Sequence, residues 1–475
     1  MSFKRISGFT SLSVIMWVTA FCLTPSASAQ LPWPTPYKDP FYNNDFSYLD
    51  NPDYVSCDWF DILKGIQVGS CLTLDVGGEY RMRFHDEVNM RLTGLDDDYL
   101  LQRTRLYFDS RYGGWLRAYI EFLDANSSYE DLPPRTIDEN RADFNNLFGE
   151  AKLCEACDGV LSARVGRQEM LYGNQRLISP LDWANTRRTF DGALLMWRSP
   201  TWNVDGFWTR PVPFSQHVNC DHNFDHPDQS QEFMGVYATW HKIKDHLVDL
   251  YYLRLVEDDK VVTVGSPRPT TYDTNTFGGR YLGRCRNWLC EVEGGYQFGD
   301  FSTAEQSAGF YTIGFGYDFK CLPWKPVFWG YYDWASGDSN PNDNSIGTFN
   351  QQFPLGHKYF GFMDLVGREN ITDWNFQLTA KPCDYLSLMV WYHIFHLEEA
   401  RDALYSAGGA KIRNAAAGDF GTDVGQEIDL TAQVFVNQHT DLFFGYSYFF
   451  AGEFIAETGN PDDASFFYAA FTFRF

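Results

Sequence analysis

The sequence predicts an all-β protein: a single transmembrane antiparallel β-barrel of about eighteen strands, with short periplasmic turns and long extracellular loops. Three observations predict it. The chain ends in an amphipathic strand, Phe466 to Phe475, that stops on an aromatic residue. Apolar/polar alternation returns all along the sequence. The connections between the alternating segments are short and long in turn.

In the last strand, Phe467, Ala469, Phe471, Phe473 and Phe475 share one face, and Phe466, Tyr468, Ala470, Thr472 and Arg474 share the other. A raw sheet edge of this kind is an aggregation hazard, and closing a barrel removes it. The other end of the chain agrees. Lys4 and Arg5 precede an apolar stretch, Leu12 to Leu23, followed by Ala27-Ser28-Ala29. This is the pattern of a secretory signal peptide covering 1–29. Residues 30–70, opening on Pro32-Trp33-Pro34-Thr35-Pro36, read as a periplasmic leader, and 71–475 as the barrel. No later apolar run is long enough for a spanning helix. Aromatic residues make up 18% of a chain whose mean hydropathy is −0.35. A thin apolar belt around a polar lumen gives that combination. With 62 acidic against 38 basic residues, the balance argues against a nucleic-acid partner. Outer-membrane lipid is the expected surround.

The first clear strand shows the pattern. Leu72, Leu74, Val76, Tyr80, Met82 and Phe84 fall on one face, and Thr73, Asp75, Glu79, Arg81 and Arg83 on the other. Similar segments start near residues 99, 115, 146, 160, 189, 202, 231, 246, 276, 288, 309, 326, 371, 385, 426, 441 and 465. Long connections are expected at 86–98, 125–145, 169–188, 213–230, 257–275, 300–308, 336–370, 397–425 and 452–464. Cysteines sit near predicted turns, and an oxidising compartment permits disulfides. The expected pairs are Cys57–Cys71, Cys154–Cys157, Cys285–Cys290 and Cys321–Cys383.

Alternation turns Glu79, Arg81, Arg83, Arg103, Arg105, Asp109, Arg117, Glu121, Glu150 and Arg164 into the lumen, with Arg280, Glu291, Glu293, Glu427 and Asp429 further on. Adjacent strands are close enough for charge ladders that rigidify the wall. The same arginines suit a constriction that attracts an anionic solute, because guanidinium forks match carboxylates.

The segment Val165-Gly166-Arg167-Gln168, then Tyr172 to Ser179, then Asp182-Trp183-Ala184-Asn185-Thr186-Arg187-Arg188-Thr189-Phe190-Asp191-Gly192, resembles the signature of the alginate-export outer-membrane family. Ser336-Gly337-Asp338 and Gly425-Gln426-Glu427-Ile428-Asp429-Leu430 also resemble it. The resemblance implies an eighteen-stranded barrel with a positively charged constriction for an acidic polysaccharide, and possible export partners in the periplasm. It implies pore roles for Arg164, Arg167, Arg176, Glu427 and Asp429. No cofactor and no enzymatic activity are expected. The alternatives are a small-solute porin whose charge ladders are structural, and a barrel hydrolase using His85. His217, Cys220, His222 and His226 lie close together in one long connection and are candidate zinc or copper ligands.

Overall fold

The computed structural model describes residues 36–56, 58–214, 224–258, 271–340, 342–414 and 420–475. They form one closed barrel. Its strands are β1 (Leu72–Val88), β2 (Asp97–Tyr112), β3 (Leu116–Ser128), β4 (Asn140–Ala156), β5 (Gly159–Gln168) and β6 (Thr189–Arg198). Then come β7 (Trp202–Val212), β8 (Gln231–Trp240), β9 (His246–Glu257), β10 (Tyr272–Cys285), β11 (Trp288–Phe301) and β12 (Ala304–Asp318). The circuit ends with β13 (Val327–Ala335), β14 (Ile371–Cys383), β15 (Leu386–Leu397), β16 (Asp423–Phe435), β17 (Thr440–Ala451) and β18 (Ala464–Arg474). Each pairs antiparallel with its sequence neighbour. β18 returns to β1, from Glu79 opposite Arg474 to Val88 opposite Ser465, so the sheet has no edge.

Alternation decides which side chain meets lipid. On β1, Asp75, Glu79, Arg81, Arg83, His85 and Glu87 are buried in the interior, while Tyr80, Met82, Phe84 and Val88 are exposed. Outward aromatics such as Phe277 and Phe315 are 61% and 59% exposed. An apolar surface this extensive belongs against lipid. No described helix is long and apolar enough to cross a membrane, a test that does not bear on spanning strands.

One expected long loop is absent. Across 300–308 the chain turns on Ser302 and Thr303 alone, with Phe301 opposite Ala304 and Ser302 at φ 54°. Polar residues here extend the ladder as a hairpin. Ser345–Ile346 adds parallel to Glu305 and Gln306, so no apolar face was needed to mark these residues as strand.

The disulfide expectations also fail for the described residues. Cys71, Cys154, Cys157, Cys285, Cys290, Cys321 and Cys383 are free thiols, and Cys57 lies outside the described residues. Cys290 sits opposite Gly283, and Cys285 opposite Trp288. The two cysteines are thus diagonal neighbours, at a separation of about 7–8 Å that a disulfide does not span. Cys154 is still in the ladder opposite Leu161, whereas Cys157 has entered the turn with φ 49°. Residues 1–29 lie outside the described residues.

The interior is filled from both ends. The connections 169–188 and 336–370 fold inward and bond to each other through an Ile178–Phe353 bridge. Ser179 N donates to the Phe353 carbonyl at 2.9 Å, and Phe353 N to that of Leu177 at 2.9 Å. Ile178, Phe349, Phe360 and Val366 from these loops pack on Phe190, Phe233, Phe310 and Phe395 of the wall. A wall of this size would otherwise enclose a wide aqueous channel. From the periplasmic end the leader enters. Phe41 and Tyr42 pack on Tyr107, Tyr119 and Phe148. Phe60 packs near the carboxy-terminal Phe475, 5.7 Å between ring centres.

Candidate functional site

Two sizeable cavities lie in the lumen among the described residues. The first, about 480 Å³, is lined by Arg81, Arg83, Arg103, Arg176, Lys358 and Trp183 among others. The second, about 410 Å³, lies toward the leader and is lined by Lys38, Asp39, Phe41, Arg105 and Asp384. Glu79, Asp182, Gln433, Asp441 and Arg474 line both, and so form the septum between them.

The septum grows from strand register. β1 and β2 place Arg81 directly opposite Arg103, and Glu79 opposite Arg105. Like charges face to face are unfavourable. Two carboxylates relieve them. Glu79 accepts from Arg103 Nη2 at 2.7 Å, and Arg474 on β18 reaches Glu79 at 3.2 Å and Asp441 at 2.5 Å. The second carboxylate comes from a loop. Asp182, at the tip of the inward connection, accepts from Arg103 Nη2 at 2.9 Å and is also gripped by Arg187. Its backbone carbonyl accepts from Arg81 Nη1 at 2.8 Å. Burial by itself raises the Asp182 carboxyl, but Arg187, Arg103 and Arg81 overcome that and hold it well below the ordinary carboxylate range.

Arg187 is a hub. Its fully buried guanidinium meets Glu169, Asp182 and Asp39, tying the start of the loop, its tip and the leader together. Glu169 also lies 3.5 Å from Arg105, which in turn bonds Glu121 at 2.6 Å. Asn185 Nδ2 donates to the carbonyls of Gln102, Asn126 and Asp138, which fixes the loop against the wall.

Arg81 and Arg83 differ from Arg103, Arg105 and Arg187. Among the described residues neither has a carboxylate within ion-pair distance, and each leaves its Nε buried without a partner. Arg83 Nη1 donates to the Trp183 carbonyl at 2.8 Å, and its guanidinium lies 3.8 Å over the Trp183 ring. His357 stacks on that ring at 3.6 Å, and Phe362 on His357 at 4.5 Å. Lys358 likewise has no carboxylate partner among the described residues. Burial, helped by Arg176, lowers its ammonium to about 8.

The remaining expected site residues sit as follows. Arg176, on the first inward loop, crosses to β11 and binds Glu291 at 2.6 Å and Glu293 at 2.7 Å. Arg164 binds Glu150 at 2.6 Å and lies over Phe148. Arg167 lines neither cavity. Three residues past the inward Arg164, it turns to the outer side of the wall and pairs with Asp191 at 2.8 Å. Glu427 and Asp429 also line neither cavity. They accept from the backbone amides of Met363 at 3.0 Å and Phe362 at 3.3 Å, and so hold the second inward loop against β16. Gly361 makes this close approach workable: at φ 82° it is left-handed, and a Cβ there would strike the Glu427 carboxylate. His226 is exposed, while His217, Cys220 and His222 lie outside the described residues. Among the described residues no cluster of three ligand-type side chains is arranged for a metal.

Sequence reasoning missed Glu169, Asp182, Trp183, Arg187, His357 and Lys358. Asp182, Trp183 and Arg187 stand inside the quoted signature; the others carry no periodic signal. A closed barrel of eighteen strands with a lipid-facing apolar belt and a charged, loop-filled lumen is an outer-membrane protein of the porin-like class. The alginate-export family model matches residues 72–468, and the chain belongs to that family. No curated protein matches the sequence. Among solved structures, Acinetobacter baumannii OccAB1 is similar, with a TM-score of 0.57 and 10% identity over 85% of this chain and 96% of that one. Pseudomonas aeruginosa OpdO has a TM-score of 0.54 and 13% identity, covering 85% of this chain and 97% of its own. Pseudomonas aeruginosa OpdK, solved with vanillate, has a TM-score of 0.51 and 12% identity, covering 84% and 98%. At these identities the likeness is one of fold.

Proposed function

We propose that the barrel passes an anionic polysaccharide of the alginate kind through its arginine-lined lumen, by diffusion and without chemistry. One observation carries this reading. Arg81 and Arg83 line the larger cavity with no carboxylate of their own, beside Arg103, Arg176 and Lys358. Buried cations without counterions attract an anion strongly, and planar guanidinium groups match the carboxylate of a uronate. The test is conductance of the full barrel in a planar bilayer. Anion-selective current that polyguluronate blocks, and neutral dextran of equal length does not, is the expected result. Cation selectivity, or indifference to polyguluronate, would overturn the reading.

The size of the cavities favours a second reading, a channel for single small anions. At about 480 and 410 Å³, each matches a compact solute better than an extended chain. Uronate oligomers of increasing length separate the two. Block that strengthens with length supports the polymer, and block that is greatest for the monomer supports the small solute.

A further inference from the structure

Asp182 is the one septum carboxylate contributed by a loop instead of the wall. We propose that it is a built-in substitute for the solute: a tethered carboxylate occupying the anion subsite of Arg81, Arg103 and Arg187, which an incoming uronate displaces. The inference rests on the anionic-solute reading above and adds where the solute binds and what it must remove.

The geometry is that of a bound ligand. Two guanidinium groups converge on the Asp182 carboxylate, and a third holds the adjoining carbonyl. The wall strands place Arg81 facing Arg103, so the wall supplies two of the three guanidinium groups, and Arg187 comes in with the loop itself. The Asp182 side chain is 45% exposed, whereas Arg103 and Arg187 are 1% and 0% exposed. The cradle is buried, and its occupant is only partly so. Asp182 also borders both cavities, so a solute arriving from either side reaches it.

Exchange of one carboxylate for another avoids the main barrier to opening such a cluster. Breaking a buried ion pair outright leaves an uncompensated charge. Replacement keeps Arg103 and Arg187 paired throughout. Once Asp182 is released, the loop tip keeps its Asn185 anchor but loses the contact that closes the septum. A tethered group competes at an effective concentration of the order of millimolar. A monomeric uronate has to exceed that, whereas a polyuronate offers many carboxylates in succession. The substitute therefore favours polymer over monomer without any subsite shaped for length.

The test compares wild type with Asp182→Asn in planar bilayers, using glucuronate and polyguluronate as blockers and glucose as the neutral control. Asp182→Asn keeps size and backbone while removing the competing charge. Its half-blocking glucuronate concentration is expected to fall about tenfold, the worth of one charge-assisted contact. The double variant Asp182→Asn/Arg103→Gln is expected to lose that gain. Heat-modifiable migration on gels checks that each barrel is closed, and Asp182→Ala provides a second variant if the first does not insert. Unchanged or weaker glucuronate block in both Asp182 variants overturns the proposal, even if polyguluronate still blocks wild type. Gain of glucuronate block in a barrel whose wild type ignores polyguluronate would uphold the substitute and refute polymer passage.

Discussion

Arg187→Gln is the most informative perturbation of the closed lumen. The guanidinium is fully buried and meets three carboxylates, Glu169, Asp182 and Asp39, that belong to the loop base, the loop tip and the leader. Glutamine fills most of the volume but brings no charge. Removing one partner of a buried ion pair costs about 3–5 kcal/mol. Most of that falls on docking of the loop and leader, because the wall ladders do not involve Arg187. Even 3 kcal/mol moves a closed state favoured 99:1 to roughly even population. Single-channel recording should show open events becoming frequent. Chymotrypsin offers an independent readout, since Phe41 and Tyr42 are buried in the docked leader. Cleavage there should accelerate about a hundredfold if the bound and released leader exchange quickly. Wild-type closed times together with full protection of Phe41 and Tyr42 would refute the hub role of Arg187.

Further outcomes follow from the same geometry. Lys358 has a folded value near 8 against an ordinary 10.5, so it is charged below pH 8 and neutral above. Anion selectivity is expected to drop as pH rises from 7 to 9, and Lys358→Met should remove that step. The sign for stability is opposite. The unfolded chain binds the proton more tightly, so this group's contribution to stability rises between pH 8 and 10.5. Glu427→Ala takes away the acceptor of the Met363 amide and should shorten closed times by destabilising the second loop by about 1–3 kcal/mol. Wild-type gating in that variant would show that the contact is dispensable. Phe277→Arg puts a charge on the lipid face of β10 and should lower unfolding free energy in urea by about 2–4 kcal/mol. Non-reducing peptide maps should find Cys154, Cys157, Cys285, Cys290, Cys321 and Cys383 as thiols; a bridge between any two would contradict the free-thiol arrangement.

The barrel wall was legible because period two is a local signal. Each strand declares its faces within ten residues, as Arg81, Met82 and Arg83 do. The hairpin across 300–308 was not, because above the membrane plane a strand has no lipid face to mark it. The lumen arginines were legible one at a time, but their partners were not. Arg103 meets Asp182, and Arg176 meets Glu291, across long stretches of sequence and between the wall and an inward loop. Nothing periodic in a loop tells whether it folds outward or inward. Glu427 and Asp429 illustrate the opposite error. Their inward direction was readable, yet they serve backbone amides of a loop and not the cavities.

Arg474 belongs to the last strand and Glu79 to the first, and the two meet only across the β1–β18 seam. Sealing the barrel therefore also completes the part of the septum that the wall supplies. A nascent barrel stalled with its seam ajar would lack the Glu79–Arg474–Asp441 bridge and leak, whereas a finished one acquires its barrier with its last pair of hydrogen-bonded strands.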